Sequence, residues 1–374
     1  MKRILVVGMS SILGGVEKEV LSLIKYAPKD YKFDFLCFGK AFSYEKDNPN
    51  IEFYYIPRRK DNYRESQKKQ KAFWLRNGNN YDWIWINTSS ASNLSMHRFA
   101  RKYSKAQIIT HSHGSKIEHN NGLLRLAHEI LHFLNRRQLV SHSNVLVACS
   151  ENAARHLFGR EAQNAFVIYN GIEVEKFKYS KEIGSLKRNE IGIAKNEIVL
   201  LCVGRLECVK NFIYAIKVYN EIHKIDSNYR LLIVGDGSQK KMLNDYAIAN
   251  KISNISFVGY TPDVKPFYDA SDILLQPSLF EGFPVSTIEA QANGLYCVLS
   301  DKITSEVAKT SNVIFHGIGN SNINEWVESI LRMNGGIDRE KANNEIQEAG
   351  FNVKESPSKF FNILVSRRMR IYNE

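Results

Sequence analysis

The segment Glu281-Gly282-Phe283-Pro284-Val285-Ser286-Thr287-Ile288-Glu289 places two carboxylates around a Gly- and Pro-containing turn, directly after the apolar run Ile273-Leu274-Leu275-Gln276-Pro277. Upstream, Val203-Gly204-Arg205-Leu206-Glu207 and Lys210 set two cations just past another apolar run. Carboxylates accept hydrogen bonds from sugar hydroxyls, and Arg and Lys neutralise phosphates. One half of the chain thus carries both kinds of group that a sugar linked to a diphosphate requires, and it reads as a nucleotide-sugar site.

Arg205 and Lys210 fall at the mouth where open α/β sheets bind ligands, and both can reach one phosphate pair. An exposed loop with two ordinary cations would also produce this pair. A helix opening at Val285 would point free backbone N–H groups at an anion or a polar sugar. Glu289 in its first turns is placed to accept from ribose hydroxyls, and Glu281 faces the hexose. A surface helix with an acidic first turn accounts for Glu289 through the helix dipole, but not for Glu281-Gly-Phe-Pro. Gly235 and Gly237, in Gly235-Asp236-Gly237-Ser238, permit tight turning and close backbone approach, with Ser238 as N-cap of the helix ahead. Phe257-Val258-Gly259-Tyr260 precedes Thr261-Pro262, a cap followed by a first-turn proline, so the Gly259-Tyr260 backbone is suited to reading a base. Plain βα turns use the same residues.

Two segments open alike, with a β-branched run, a glycine, a loop and an amphipathic helix. Ile4-Leu5-Val6-Val7-Gly8 leads through Gly14-Gly15 into 16–26, and Ile198 to Gly204 leads into 212–222. Two such starts predict two Rossmann-like domains. Continuous apolar stretches at 33–38, 83–86, 106–110, 145–148 and 166–168, then 231–234, 255–258, 273–275 and 296–299, suit parallel strands buried on both faces. A turn-forming Asn170-Gly171 sets the boundary, giving domains 1–170 and 171–355 and a C-terminal helix 356–374. The segment 58–71, dense in Lys, Arg, Gln and Asn, reads as a solvated basic loop. In 123–139, Leu124, Ala127, Leu131 and Leu134 recur at helical spacing beside Arg125, Arg136 and Arg137. This predicts a helix packed on its own domain, the alternative being a basic amphipathic face on anionic lipid. Phe361, Leu364 and Val365 against Arg367, Arg368 and Arg370 pose the same choice in the tail.

The 374 residues exceed one ordinary core, and 44% hydrophobic with 24% charged content is globular. A net charge of +12 says that anions matter. Five scattered cysteines fit free thiols, not a zinc or disulfide framework. The short apolar start lacks a cleavage site, and no stretch approaches the ~20 apolar residues of a membrane span. The expectation is a cytoplasmic protein, at most peripheral to the inner face of the membrane.

Arg205 with Lys210, the Gly235-Asp236-Gly237 turn, Phe257-Val258-Gly259 and the Glu-x7-Glu unit followed by Ala290-Gln291-Ala292-Asn293-Gly294 together resemble the family 4 retaining glycosyltransferases of GT-B fold. The first half, through Gly14-Gly15-Val16-Glu17, His111-Ser112-His113, Val147-Ala148-Cys149-Ser150 and Asn170-Gly171, resembles transferases of capsule, exopolysaccharide or O-antigen assembly. The resemblance implies an α/β GT-B fold: two Rossmann-like doubly wound domains facing a cleft, with a C-terminal helix able to cross back to the N-terminal domain. It implies that the C-terminal domain holds a nucleoside-diphosphate sugar, with UDP the expected nucleotide, and the N-terminal domain a glycan or lipid-linked acceptor. Arg205 and Lys210 then serve the diphosphate, Glu289 the ribose, Glu281 with Gly282 and the Phe283, Pro284 and Val285 backbone the donor sugar. Gly14 and Gly15 serve the phosphate side. Gly235, Gly237 and Tyr260 line the nucleotide, and His113, ahead of His111, meets donor sugar or acceptor. Retention of anomeric configuration is implied. Pro284 stands where glycine is frequent, and Ser286-Thr287 where apolar residues are, which bears on donor identity. No Asp-x-Asp triplet occurs, so no metal or cofactor is expected.

His128-Glu129-Ile130-Leu131-His132 matches the zinc-protease pattern His-Glu-x-x-His, yet an amphipathic helix with polar positions explains it and no third ligand is identifiable. Gly8 to Gly15 lacks the Gly-x-Gly-x-x-Gly spacing of a dinucleotide site, and Phe38-Gly39-Lys40 supplies no acid. Two other readings remain: a nucleotide-sugar epimerase on the same fold, and a basic nucleic-acid binder with Tyr63 and Trp74 among its cations. Dispersed charge and the lack of a nucleic-acid module speak against the second, so no nucleic-acid partner is expected.

Overall fold

The computed structural model describes residues 1–9, 15–39, 51–59, 61–114, 117, 121–281, 283–333 and 338–371. The chain divides into two compact units, one of residues 1–170 with 353–374 and one of 171–352.

In the first unit the elements run β1 (Lys2–Val7), α1 (Gly15–Lys25), β2 (Tyr31–Phe38), β3 (Phe53–Ile56), α2 (Tyr63–Asn77), β4 (Trp83–Thr88), α3 (Ser95–Tyr103), β5 (Gln107–Ser112), α4 (Gly122–His142), β6 (Val145–Ala148), α5 (Glu151–Phe158) and β7 (Phe166–Val167). The strands form a parallel sheet ordered β3-β2-β1-β4-β5-β6-β7. Side chains alternate across a strand, so each run feeds two cores. Ile4, Val6, Phe35, Trp85, Ile109 and Val147 pack on one face, and Leu5, Val7, Leu36, Ile84, Ile86 and Ile108 on the other.

The second unit runs α6 (Lys181–Glu190), β8 (Ile198–Val203), α7 (Phe212–Ile225), β9 (Tyr229–Val234), α8 (Lys240–Ala249), β10 (Ile255–Gly259), α9 (Lys265–Asp269), β11 (Ile273–Gln276), α10 (Val285–Asn293), β12 (Tyr296–Ser300), β13 (Val313–His316), α11 (Ile323–Arg332) and α12 (Arg339–Glu348). Its parallel sheet is ordered β10-β9-β8-β11-β12-β13. The order reverses beside β8, and its neighbours β9 and β11 carry the loops that follow it at the same sheet edge.

The last helix, α13 (Ser356–Ile371), belongs to the first unit. Phe360, Phe361 and Leu364 are buried against Trp85, Tyr31 and Phe33, so Phe361 and Leu364 of the tail's apolar face belong to the core, while Val365 is exposed.

Three further local expectations are corrected. The segment 58–71 is largely helical. Asn62 caps α2 by accepting from the Glu65 N–H, and Ser66, Gln70, Phe73 and Trp74 are buried. Ser66 and Gln70 hydrogen-bond each other at 3.0 Å, which lets polar residues occupy the inner face. Ser238 does not cap α8, because its hydroxyl goes to Glu207. Thr261-Pro262 does not start α9, which opens at Lys265 with Pro266 in its first turn. All five cysteines are free. No helix among the described residues is long and apolar enough to cross a membrane.

Candidate functional site

The second unit assembles its polar groups where β8, β9 and β11 end. After β8 the chain turns through Arg205 to a 3-10 turn at Cys208–Lys210, then Asn211 adopts the left-handed conformation (φ 53°) that Asn tolerates and α7 begins. Two bonds join this loop to the one after β11: Asn211 Nδ2 donates to the Pro277 carbonyl at 3.1 Å, and the Leu279 N–H donates to the Val209 carbonyl at 2.8 Å. Lys210 is thereby brought to Glu281, 71 residues on, with Nζ 2.5 Å from Oε1. Both side chains are largely buried. Ser278 Oγ (2.8 Å) and Gln276 Nε2 (3.3 Å) also donate to Glu281 Oε1.

Gln276 is held in turn by Thr287, whose hydroxyl donates to Gln276 Oε1 at 2.7 Å. Sequence reasoning missed these supports. Their signal was present, since Gln276, Ser278 and Thr287 are polar residues placed at nearly full burial around an apolar strand end. Arg205 contrasts with Lys210: it is exposed, and its guanidinium makes no hydrogen bond or ion pair among the described residues. Among the described residues the site thus holds one free cation, Arg205, and one neutralised by a carboxylate, Lys210.

Helix α10 opens without a side-chain cap, leaving first-turn N–H groups for a ligand. Glu289, one turn in, accepts the Tyr268 hydroxyl at 2.8 Å. Burial first, and the Glu289 charge second, push the Tyr268 phenol well above its ordinary range, so it remains a donor. Phe283 stacks on Phe351 with centroids 5.5 Å apart, and Pro284 is buried. Gly282 and Gly14 lie outside the described residues; Gly15 is the first residue of α1.

Gly235 and Gly237 serve neighbouring backbone. A Cβ on Gly235 would lie 1.9 Å from the Gly204 carbonyl oxygen, and one on Gly237 2.5 Å from that of Leu206. The two loops nest, fastened by Ser238, whose hydroxyl and N–H both donate to Glu207 and hold that carboxyl below its usual range. Tyr260 is 77% exposed.

In the first unit, His113 is bonded at both nitrogens, Nδ1 to Glu19 Oε2 at 3.0 Å and Nε2 to Asn87 Oδ1 at 2.8 Å. Asn87 is oriented by donating to the Val7 carbonyl. The amide of Asn170, with its nitrogen toward Glu19, donates to both carboxylate oxygens. His111 is fully buried, stacked on Trp85 and tilted against His113, and burial drives its proton affinity well down. The structure thus places His111 among the core rings and His113, the favoured member of the pair, in the hydrogen-bonded network with Glu19 and Asn87. Ligand atoms of Glu19, His111 and His113 lie within 4.8 Å of one another, the one such group among the described residues able to hold a metal ion. His132 of the His-Glu-x-x-His segment accepts from the Ala91 N–H and donates to the His156 carbonyl, which leaves neither nitrogen for zinc.

Known proteins resemble this chain in sequence and in fold. The family descriptions "Glycosyltransferase Family 4" and "Glycosyl transferases group 1" match residues 13–176 and 185–349, which together cover most of the chain. The chain belongs to the family 4 glycosyltransferases. It is 28% identical over 234 residues to EpsF of Bacillus subtilis, a protein named as a glycosyltransferase, the match covering 61% of each chain. It is 35% identical over 143 residues, 36% of each chain, to the UDP-Gal:alpha-D-GlcNAc-diphosphoundecaprenol alpha-1,3-galactosyltransferase of Escherichia coli. These matches span less than two thirds of either relative. The GT-B fold is shared with Anabaena HepE, solved in complex with UDP, at a TM-score of 0.77 and 18% identity over 98% of this chain and 100% of that one. The lipopolysaccharide glycosyltransferase WaaG matches at a TM-score of 0.66 and 15% identity, over 96% of this chain and 99% of that one.

Proposed function

We propose that this glycosyltransferase moves a hexosyl or N-acetylhexosaminyl group from a UDP-sugar to a glycan or lipid-linked acceptor in surface polysaccharide assembly, with retention of configuration. The observation that carries this is the grouping of Arg205, the Lys210–Glu281 pair, the uncapped start of α10 and Glu289 at one sheet edge. The nucleoside-diphosphate end is the part this chemistry fits. Arg205 is available at once, and Lys210 exchanges Glu281 for a phosphate oxygen. The α10 N–H groups face the same charge, and Glu289, oriented by Tyr268, accepts from ribose hydroxyls. Glu281, released from Lys210, accepts from the donor sugar. Positive charge fixed before the bond to the diphosphate breaks stabilises the departing group as its charge develops. These cations supply what a divalent ion would, so transfer proceeds without added metal. Relatives named for UDP-Gal transfer to a diphosphoundecaprenol acceptor and for amylovoran synthesis support the donor and the polysaccharide role. Peripheral contact with an anionic membrane, where a lipid-linked acceptor resides, completes the reading.

The test is a panel of UDP-, GDP- and dTDP-sugars followed by thermal unfolding, since a ligand of the folded state raises Tm. A UDP-sugar should stabilise the protein and, with acceptor, give a product whose anomeric proton shows retention. No stabilisation by any donor, or activity lost to EDTA and restored by Mn²⁺ or Mg²⁺, would overturn the assignment or its metal-free form respectively.

A further inference from the structure

Helix α4 is inside out. At about 100° per residue, Leu123, Ala127, Ile130 and Leu134 share one line, Leu126 and Phe133 flank it on one side and Leu124 and Leu131 on the other, an apolar arc of about 180°. In an ordinary surface helix that arc faces the core. Here Leu123 is 81% exposed, Phe133 and Leu134 67% each, and Ile130 52%. Only His132 and Leu139 of the helix are buried.

The opposite, polar face holds the helix to the first unit. His132 bonds the Ala91 N–H and the His156 carbonyl, Asn135 donates to the Ala91 carbonyl, and Arg136 donates to the His156 carbonyl. The expectation that 123–139 packs its apolar stripe on its own domain is therefore corrected, and the stripe lacks a cover within the described structure. Seven large apolar side chains on one helix exceed the scattered exposure of an ordinary surface.

The chemistry at the end of the stripe selects the cover. A recess of about 860 Å³ there is lined by Phe133, Leu134, Phe158 and the three arginines Arg136, Arg137 and Arg160, with Glu161 at its side. Arg136 also lies over the Phe133 ring, its guanidinium 5.1 Å from the centroid. Apolar surface edged by arginine fits acyl chains beneath anionic headgroups. A second copy would bring the same arginines face to face, in a chain already at +12.

We propose that α4 is an interfacial helix, lying in the headgroup boundary of an anionic bilayer with Ile130, Phe133 and Leu134 inserted and Arg137 and Arg160 on lipid phosphates. The proposal specifies the membrane contact of the transferase reading but is tested without donor or acceptor, so the two can fail separately.

The experiment is co-sedimentation of the full chain with phosphatidylcholine vesicles and with phosphatidylcholine–phosphatidylglycerol vesicles over a salt series. The protein should bind the anionic vesicles and be released by salt. Ile130→Asp with Leu134→Asp should weaken binding at least about 100-fold, by loss of two buried side chains. Arg137→Gln with Arg160→Gln should weaken it about 25-fold on anionic vesicles alone. Melting curves should match wild type in both pairs, since all four side chains lie outside the core. Failure of the wild type to bind anionic vesicles would overturn the proposal, as would unchanged binding by the Asp pair. A dimer in light scattering that the Asp pair abolishes, without vesicle binding, would replace lipid by a second copy.

Discussion

Lys210→Ala separates the two roles assigned to that lysine. It is 17% exposed and its partner Glu281 14%. Breaking a fully buried pair costs about 3–5 kcal/mol and an exposed one about 0–1. Glu281 keeps Ser278 and Gln276 as donors, so the loss falls between, about 1–3 kcal/mol. For a unit of this size that lowers Tm by roughly 3 to 10 °C. Donor affinity should respond less, because a phosphate gains Lys210 only by displacing Glu281: UDP binding should weaken about 3- to 10-fold, taking roughly half the worth of a charge-assisted hydrogen bond. Arg205→Ala should show the reverse balance, with Tm unchanged and UDP affinity down about 10- to 100-fold, because among the described residues its guanidinium has no hydrogen bond or ion pair to give up. Glu281→Gln should lower Tm while leaving UDP affinity equal or higher. Differential scanning fluorimetry and calorimetric titration with UDP read both quantities. Wild-type Tm and UDP affinity in Lys210→Ala, or a larger affinity loss there than in Arg205→Ala, would refute the exchange.

The first unit should be acid-sensitive. Burial, together with the charges of His142 and Arg101, pushes His97 down to about 3, and burial with His113 drives His111 well down. Unfolded histidines bind protons near pH 6.5, so the unfolded state holds more protons and stability falls as pH drops from about 6.5 toward 3, by up to about 1.4 kcal/mol per pH unit for each fully buried ring. Urea midpoints at pH 7 and 5 test this, and equal midpoints would contradict it. Gly235→Ala should cost more than about 4 kcal/mol, since its Cβ meets the Gly204 carbonyl at a φ of +143°. Gly192→Ala, with φ +67° and open space, should cost only about 1 kcal/mol, and equal melting of the two would rule out the nesting of the loops. Tyr268→Phe should raise the donor KM about 5- to 10-fold with kcat retained, by removing the bond that orients Glu289; steady-state kinetics showing a fall in kcat alone would oppose that role.

Buried apolar strands were legible because parallel sheets covered on both faces need unbroken hydrophobic runs, as at Ile198 to Val203 and Val145 to Ala148. β3 and β13 were not, since they are sheet-edge strands only partly buried and so lack that two-sided constraint. Helix α2 was hidden because Ser66 and Gln70 satisfy each other inside, so its inner face is partly polar. In α4 the period was readable, but periodicity reports an apolar stripe and not the side that receives it. The pairing of Lys210 with Glu281 lay beyond local reading, since it depends on two loops brought together by strand order. The same holds for Ser238, which was legible as a cap until Glu207 competed for its hydroxyl.

The placement of α13 bears on how the protein is made. Phe360, Phe361 and Leu364 fill one face of the first unit's sheet, beside Ile4 and Trp85, whose strands leave the ribosome more than two hundred residues earlier. During synthesis the part of that face not covered by α1 waits for α13, while 171–352 has all its own strands and can close first. The half translated first is thus finished last, and a nascent chain stalled before its final helix would offer aromatic surface to chaperones and proteases.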